Sequence, residues 1–331
     1  MTIYDISRLA GVSIATVSRV LNNSEKVSEK TRRRVLSIID ETGYVPSFSR
    51  NDTVTKEIGI VCTTITDMHN AFITEYLTTN LQRSGFNIRL FCSGSDLNDK
   101  KGLMSRLGNT KMDALIIEGR DFMEYEPQNN SYIKTISDNF PVFLLNAYME
   151  GPNIYCVTCE EELLIYSLTD NLIKSGRNDI LFLFSSMSPY YMSMLEGFKR
   201  ALMHHGTEPC PQNIHRCTGG YEDTLEYICE QIKSGKKTDA ILATDDILAS
   251  AAFFAAQSLE LRIPDDIEII GHKTPISSQI TPPAVTAINC REEELCITML
   301  STIRNVLNNL PAASRINIPA TLIHRSNADR N

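Results

Sequence analysis

Between Leu9 and Ser28 the sequence reads LAGVSIATVSRVLNNSEKVS. Hydroxyl, guanidinium and amide groups fall at Ser13, Thr16, Ser18, Arg19 and Asn22, Ile14 and Ala15 lie between them, and no acidic residue appears before Glu25. Such a set suits one kind of chemistry. An arginine offers paired donors to the edge of guanine, while hydroxyls and amides hold phosphate oxygens. Ile14, Ala15, Ser18, Arg19 and Asn22 together form a stripe of little use for packing and small enough to enter a major groove.

Three short helices must carry that stripe. Thr2 and Asp5 read as a capping box opening a first helix, with Ile6, Leu9 and Ala10 on one face and Gly11 as its left-handed stop. Ser13 caps a second helix whose apolar positions are Val17, Val20 and Leu21. Ser28 caps a third, EKTRRRVLSIIDET, with Val35, Ile38 and Ile39 inward and Gly43 as its end. Two short helices joined by about three residues make a helix-turn-helix. A helical cap packed on a larger domain is the bland alternative, but it gives no reason for an acid-free second helix.

Composition limits the remaining classes. At 331 residues the chain suits two or three domains, and 42% apolar with 22% charged residues describes a folded soluble protein. Neither a membrane-length apolar run nor a signal core is visible, so a cytoplasmic protein with no membrane partner is expected. The net charge of −8 opposes nucleic-acid binding, yet residues 1–50 hold eight Lys/Arg against five Asp/Glu, and Arg32, Arg33 and Arg34 suit a phosphate backbone. Nine cysteines without framework spacing fit a reducing compartment. Cys156 and Cys159 have the spacing of a redox or zinc half-site, but no second pair or nearby histidine completes it, and they read as small buried residues. His204 and His205 suit a helix C-terminus better than a metal, and Asp245 with Asp246 suits a helix cap and ligand contact better than acid–base catalysis. No nucleophile elbow, phosphate loop or HExxH is present. Neither an enzyme, a cofactor nor a metal is expected.

The segment DISRLAGVSIATVSRVLNNSEKVSEKTRRRVLSIIDETGYVP resembles, almost position for position, the DNA-binding headpiece of the LacI/GalR family of bacterial transcription regulators. The resemblance implies a headpiece at residues 1–46 and a homodimer that reads a palindromic double-stranded DNA operator. It makes Ile14, Ala15 and Arg19 the base readers, with Thr2, Ser13, Thr16, Ser18, Asn22 and Tyr44 completing the DNA-binding set. The family pattern then continues YxPNxxARxL, a hinge helix that wedges a leucine into the minor groove. Here the text is YVPSFSRNDTVTKEIGIV: Tyr44 and Pro46 match, Ser47 replaces the asparagine and no leucine follows. Residues 47–57 are therefore expected to be a linker without that wedge; Phe48 sits too early in the segment to replace it.

From residue 58 onward, β-branched runs alternate with amphipathic segments: IGIVCTT, NIRLFCSG, ALIIEG, PVFLLN, DILFLFSS, AILATD and IEIIGH read as strands. That alternation implies α/β architecture with parallel sheets, and more strands than one sheet usually holds. The resemblance implies a periplasmic-binding-protein-like core over 58–331 with an effector between two lobes. The first lobe would be 58–157 with 290–318, and the second 158–289 with 319–331.

Carried over residue by residue, the resemblance puts effector contacts at Asn70, Phe72, Asn146, Ser188, Tyr190, Met194, Tyr221, Asp245 and Lys273, with Cys290 nearby. It also exposes a departure. Met194 stands where the family has its anchoring arginine, and Lys273 where it has an aspartate. Sugar sites pair such groups so that each hydroxyl meets a donor and an acceptor. Their loss argues against an ordinary neutral sugar and suggests a sugar-derived or other small metabolite, such as an anionic one held by Lys273, a more apolar effector on Met194, or no small-molecule control. The expectation is a ligand-responsive, homodimeric repressor; a solute-binding protein without DNA control is the alternative, and an enzyme using Cys156 or Cys159 a distant third.

Overall fold

The computed structural model describes residues 2–21, 27–42, 56–273 and 286–323. The chain divides into two compact units, Met1–Lys56 with Thr78–Ile88, and Glu57–Leu77 with Arg89–Asn331.

In the smaller unit, α1 (Ile3–Ala10) opens on a complete capping box: the Thr2 hydroxyl accepts from the Asp5 N–H at 3.4 Å, and the Asp5 carboxylate accepts from the Thr2 N–H at 2.9 Å. It closes on Gly11 at φ +62°, a left-handed conformation that costs glycine nothing. Ser13 caps α2 (Ile14–Leu21) by accepting from the Thr16 N–H at 3.1 Å, and Ser28 caps α3 (Glu29–Thr42) by accepting from the Thr31 N–H at 3.3 Å. The three helices enclose Ile6, Ala10, Val17, Val20, Val35 and Ile39. Leu9, assigned inward by its spacing, is half exposed: it is the stripe of Ile3, Ile6 and Ala10 that faces the neighbouring helices.

So small a core has little stability to spare. Ile6 is fully buried within it, and an isoleucine-to-alanine change in a core costs about 2–5 kcal/mol. Ile6→Ala is expected to abolish DNA binding in a gel-shift assay while calorimetry still records the main transition of the larger unit.

The other described strands form two sheets. The first has the order β11-β5-β4-β3-β1-β2, built from β1 (Glu57–Cys62), β2 (Asn87–Cys92), β3 (Ala114–Glu118), β4 (Val142–Leu145), β5 (Ile154–Glu160) and β11 (Arg315–Pro319). The second has the order β12-β10-β9-β8-β6-β7, built from β6 (Ile180–Phe184), β7 (Ile214–Arg216), β8 (Ala240–Ala243), β9 (Glu268–Lys273), β10 (Thr286–Asn289) and β12 (Thr321–Ile323). Pairing is parallel from β11 to β1 and from β7 to β10, and β12 returns antiparallel to β10. Central strands such as β3 (ALIIE) and β6 (ILFLF) are buried along their whole length, as strands covered by helices on both faces must be. Around the first sheet run α4 (Met68–Arg83), α5 (Leu97–Gly108), α6 (Ser131–Ser137) and α11 (Glu292–Leu307). Around the second run α7 (Glu162–Lys174), α8 (Pro189–His204), α9 (Gly220–Lys233) and α10 (Asp246–Ser258).

The chain passes between these two lobes three times, after β5, after β10 and between β11 and β12. Register orders the crossings. Glu160 pairs with Pro319, and Thr321 pairs with Asn289, so the short passage through Ala320 lies between the other two.

Candidate functional site: an exposed helix face and an interlobe cleft

On α2, Val17 and Val20 are buried, whereas Ser13, Ile14, Ala15 and Arg19 are exposed and Thr16 and Ser18 half-buried. Thr2 is exposed at the start of α1, and the Ser13 and Thr16 hydroxyls lie 2.9 Å apart. One helix thus spends two valines on the core and turns its polar stripe outward. Asn22, Tyr44, Phe48 and most of the 47–57 linker lie outside the described residues.

The second site is a cavity of about 500 Å³ beyond the carboxyl ends of strands from both lobes. The first lobe contributes Thr64, Asp67, Lys100, Arg120, Asp121 and Glu124, and the second Ser186, Ser188, Tyr191, Arg216 and Asp245. Its centre is Arg120. Gly119, at the end of β3, lets the chain approach β4 closely, since a Cβ there would come within 2.2 Å of Ala147 Cβ. That turn places the Arg120 guanidinium 3.1 Å from Asp67 and 3.4 Å from Asp121, 5.9 Å from the ring centres of Tyr190 and Tyr191, and almost out of contact with solvent. Ser188, the N-cap of α8, donates to the Arg120 carbonyl at 2.5 Å. Arg120 therefore joins first-lobe carboxylates to second-lobe rings. Burial pushes the Asp67 carboxyl up, but the charge of Arg120 and the Asn70 N–H outweigh it and hold the carboxyl below its ordinary value. Asp245 caps α10 by accepting from the Leu248 N–H at 2.9 Å; burial raises its carboxyl to about 6, against the opposing pull of that bond and of Arg120.

Two buried polar clusters flank the cavity. In the first, His69 lies between Glu118 at 3.5 Å and Glu292 at 3.8 Å, with the Asn146 side-chain amide at 3.0 Å. Burial and the charge of Arg120 push the imidazole down, but the two carboxylates prevail and lift it from 6.5 to about 9. A folded-state value above the unfolded one means that its stabilisation is complete below pH 6.5 and disappears as pH rises through 9. Chemical denaturation is expected to show the larger unit losing on the order of 3 kcal/mol across that window. His69→Gln should flatten the slope; an equally steep slope in that variant would sink the assignment.

The second cluster sits at the crossings. Tyr190 donates to Glu161 Oε1 at 2.7 Å, and the Cys290 thiol lies 3.1 Å from the same oxygen and 3.3 Å from His272 Nδ1. Glu161 Oε2 and His272 Nε2 face each other at 3.3 Å, and among the described residues neither makes a hydrogen bond. Burial raises the Glu161 carboxyl to about 7 and lowers the His272 imidazole to about 3.

The residues singled out from sequence scatter across these arrangements. Ser188 and Asp245 line the cavity. Asn70, Asn146 and Tyr190 stand one layer back: the Asn70 amide donates to the Thr64 carbonyl at 2.9 Å, Asn146 meets His69 and Tyr190 meets Glu161. Phe72 sits against Tyr76 and Tyr221 against Phe254, outside the cavity lining. Lys273 ends β9, and its side chain lies outside the described residues. Met194 requires a correction. It is fully buried, because Tyr191, Met194, Leu195 and Phe198 follow the i, i+3, i+4, i+7 stripe by which α8 covers the second sheet. The cleft has its guanidinium all the same, supplied by the opposite lobe. Arg120 and Asp67 were legible only as charged residues just past the carboxyl ends of apolar strands, where ligands to such sheets bind.

A helix-turn-helix with an exposed reading face, on a chain that also forms two parallel sheets around a polar cleft, defines a class: DNA-binding regulators with a periplasmic-binding-protein-like domain. Residues 2–47 match the profile described as bacterial regulatory proteins, lacI family, and residues 169–326 that of the periplasmic binding protein-like domain. The chain is 35% identical over 330 residues to an HTH-type transcriptional regulator of Lachnoclostridium phytofermentans, covering 98% of both chains. It is 28% identical to catabolite control protein A of Priestia megaterium, covering 87% of each. Among solved structures, the Lac repressor dimer bound to operator and the anti-inducer ONPF shares the fold at a TM-score of 0.73, with 21% identity and 98% of each chain covered. The chain belongs to the lacI family of bacterial regulatory proteins, whose members regulate transcription and are not enzymes. Among the described residues, no helix is long and apolar enough to cross a membrane.

Proposed function

We propose that this chain is a cytoplasmic repressor that binds a palindromic operator as a homodimer and changes its hold on DNA when a small metabolite occupies the interlobe cleft. The observation that carries the reading is the outward polar stripe of α2, with Arg19 exposed beside Ile14 and Ala15 while Val17 and Val20 of the same helix secure it to the core. Arg19, Ile14 and Ala15 read bases; Thr2, Ser13, Thr16, Ser18, Asn22 and Tyr44 hold the backbone. For the effector, a neutral hydroxyl-rich compound is favoured over an anion. Asp67, Asp121, Glu124 and Asp245 outnumber the three basic side chains that line the cavity, and Arg120 beside Asp67 offers donors next to acceptors, as hydroxyls require. Asp67, Arg120, Ser188 and Asp245 are the direct contacts; Asn70 and Tyr190 brace Asp67 and Arg120, and Asn146 stands behind them against His69.

The test is enrichment of fragmented genomic DNA on the purified protein at about physiological salt, because phosphate contacts make affinity salt-dependent. A shared palindrome upstream of a few genes supports the reading; no enrichment with or without sugars and sugar acids favours a solute-binding protein without DNA control. Calorimetric titration with neutral sugars beside their phosphates and acids decides the effector class. Tighter binding of the charged series would overturn the preference for a neutral ligand.

A further inference from the structure

We propose that Cys159, Glu161 and Cys290 form a binding site for a thiophilic divalent cation, zinc by preference, at the crossings between the two lobes, with His272 as the adjoining ligand.

The residues come from three different places in the chain. Cys159 is on the last turn of pleat of β5, Glu161 follows that strand, Cys290 follows β10, and His272 lies on β9. One ligating atom from each of Cys159, Glu161 and Cys290 lies within 4.8 Å of the other two. Zinc–sulfur bonds of about 2.3 Å and zinc–oxygen bonds of about 2.0 Å, at tetrahedral angles, place neighbouring ligand atoms roughly 3.5 Å apart. Cys290 Sγ is 3.1 Å from Glu161 Oε1 and 3.3 Å from His272 Nδ1, so a cation needs only slight spreading of groups already gathered.

Two further observations point to a ligand. Glu161 is 3% exposed, and among the described residues its Oε2 makes no hydrogen bond and faces only the buried His272 Nε2, 3.3 Å away. A buried carboxylate oxygen left unpaired costs about 1–3 kcal/mol, and a cation held by Glu161 would satisfy it. Charge also fits. Two thiolates and a carboxylate around a divalent cation carry one net negative charge, and the positive charges of Arg120 and His69 act on this same carboxylate. Both thiol protons leave to solvent on binding, so affinity rises with pH. Cys159 is only half-buried, which gives the cation a way in.

The geometry also separates the two cysteines of CVTC. Residues three apart on a strand face opposite sides of the sheet. Cys156 turns into the first-lobe core, 3.6 Å from the Met149 carbonyl, and the partner of Cys159 is Cys290, 131 residues further on by numbering. This inference rests on the core alone and is independent of the DNA-reading proposal.

The test uses the full chain in reducing buffer, stripped with a chelator and titrated with Co²⁺ as the spectroscopic probe. A thiolate-to-cobalt charge-transfer band that saturates at one equivalent and is displaced by Zn²⁺ is expected. Cys159→Ser should weaken Co²⁺ binding at least tenfold, whereas Cys92→Ser, at an exposed thiol elsewhere, should leave it unchanged. Zn²⁺ should also raise the melting temperature of the wild type and not that of Cys159→Ser. The absence of a band, or a band of equal affinity in Cys159→Ser, overturns the site. So does a chain that takes up no metal and forms a Cys159–Cys290 disulfide under mild oxidant, which would make the pair a redox couple.

Discussion

Replacing Arg120 by alanine is expected to lower the stability of the larger unit by about 3–5 kcal/mol, the cost of removing one partner from a buried ion pair. Asp67 and Asp121 would lose their counter-charge, and Tyr190 and Tyr191 the cation beside their rings. Denaturant midpoints read this directly. Adding Asp67→Asn to Arg120→Ala should restore part of the loss, because the second change removes a charge that the first left uncompensated. Arg120→Lys keeps the charge but not the planar fork, and should retain most of the stability while losing effector binding. If Arg120→Ala cost less than about 1 kcal/mol, the guanidinium would have to be solvated and its place at the centre of the cleft wrong.

Arg19→Ala is expected to weaken specific operator binding by about 1–3 kcal/mol, roughly 5- to 150-fold, while binding to random DNA falls far less. Arg19 is exposed on α2 and adds nothing to the helical core, so the thermal transition should not move. Competition against mutated operators separates two roles. If Arg19 reads a guanine, the variant loses discrimination at one base pair of each half-site; if it only touches phosphate, affinity falls equally on every sequence and the salt slope drops by about one.

The headpiece was legible because its determinants are local. Thr2 and Asp5, Gly11, Ser13 and Ser28 act within a few residues of themselves, and each cap is present where its spacing placed it. The central strands were legible for a related reason, since burial on both faces demands unbroken apolar runs. What escaped was long-range. β5 carries CVTC, whose cysteines interrupt its β-branched pattern. Arg120 meets Asp67 across 53 positions of sequence, and no periodicity joins them. His69, Glu118 and Glu292 stand far apart in the sequence with no pattern that joins them, yet fold topology brings all three into the interior. The position of Met194 shows the limit of transferring a site by motif. Its replacement for arginine reads as loss of an anchor, although another element carries one.

The three crossings run side by side, with Ala320 in the middle, and this has a mechanical consequence. A single connection would let the lobes swivel in any direction. Three straps in a row behave as a leaf hinge, soft to bending about the line that joins them and stiff to twisting or sliding. Whatever occupies the cleft can then move the lobes along essentially one coordinate, and a group that clamps the outer straps, as Cys159 and Cys290 are placed to do, stiffens that coordinate without touching the cavity.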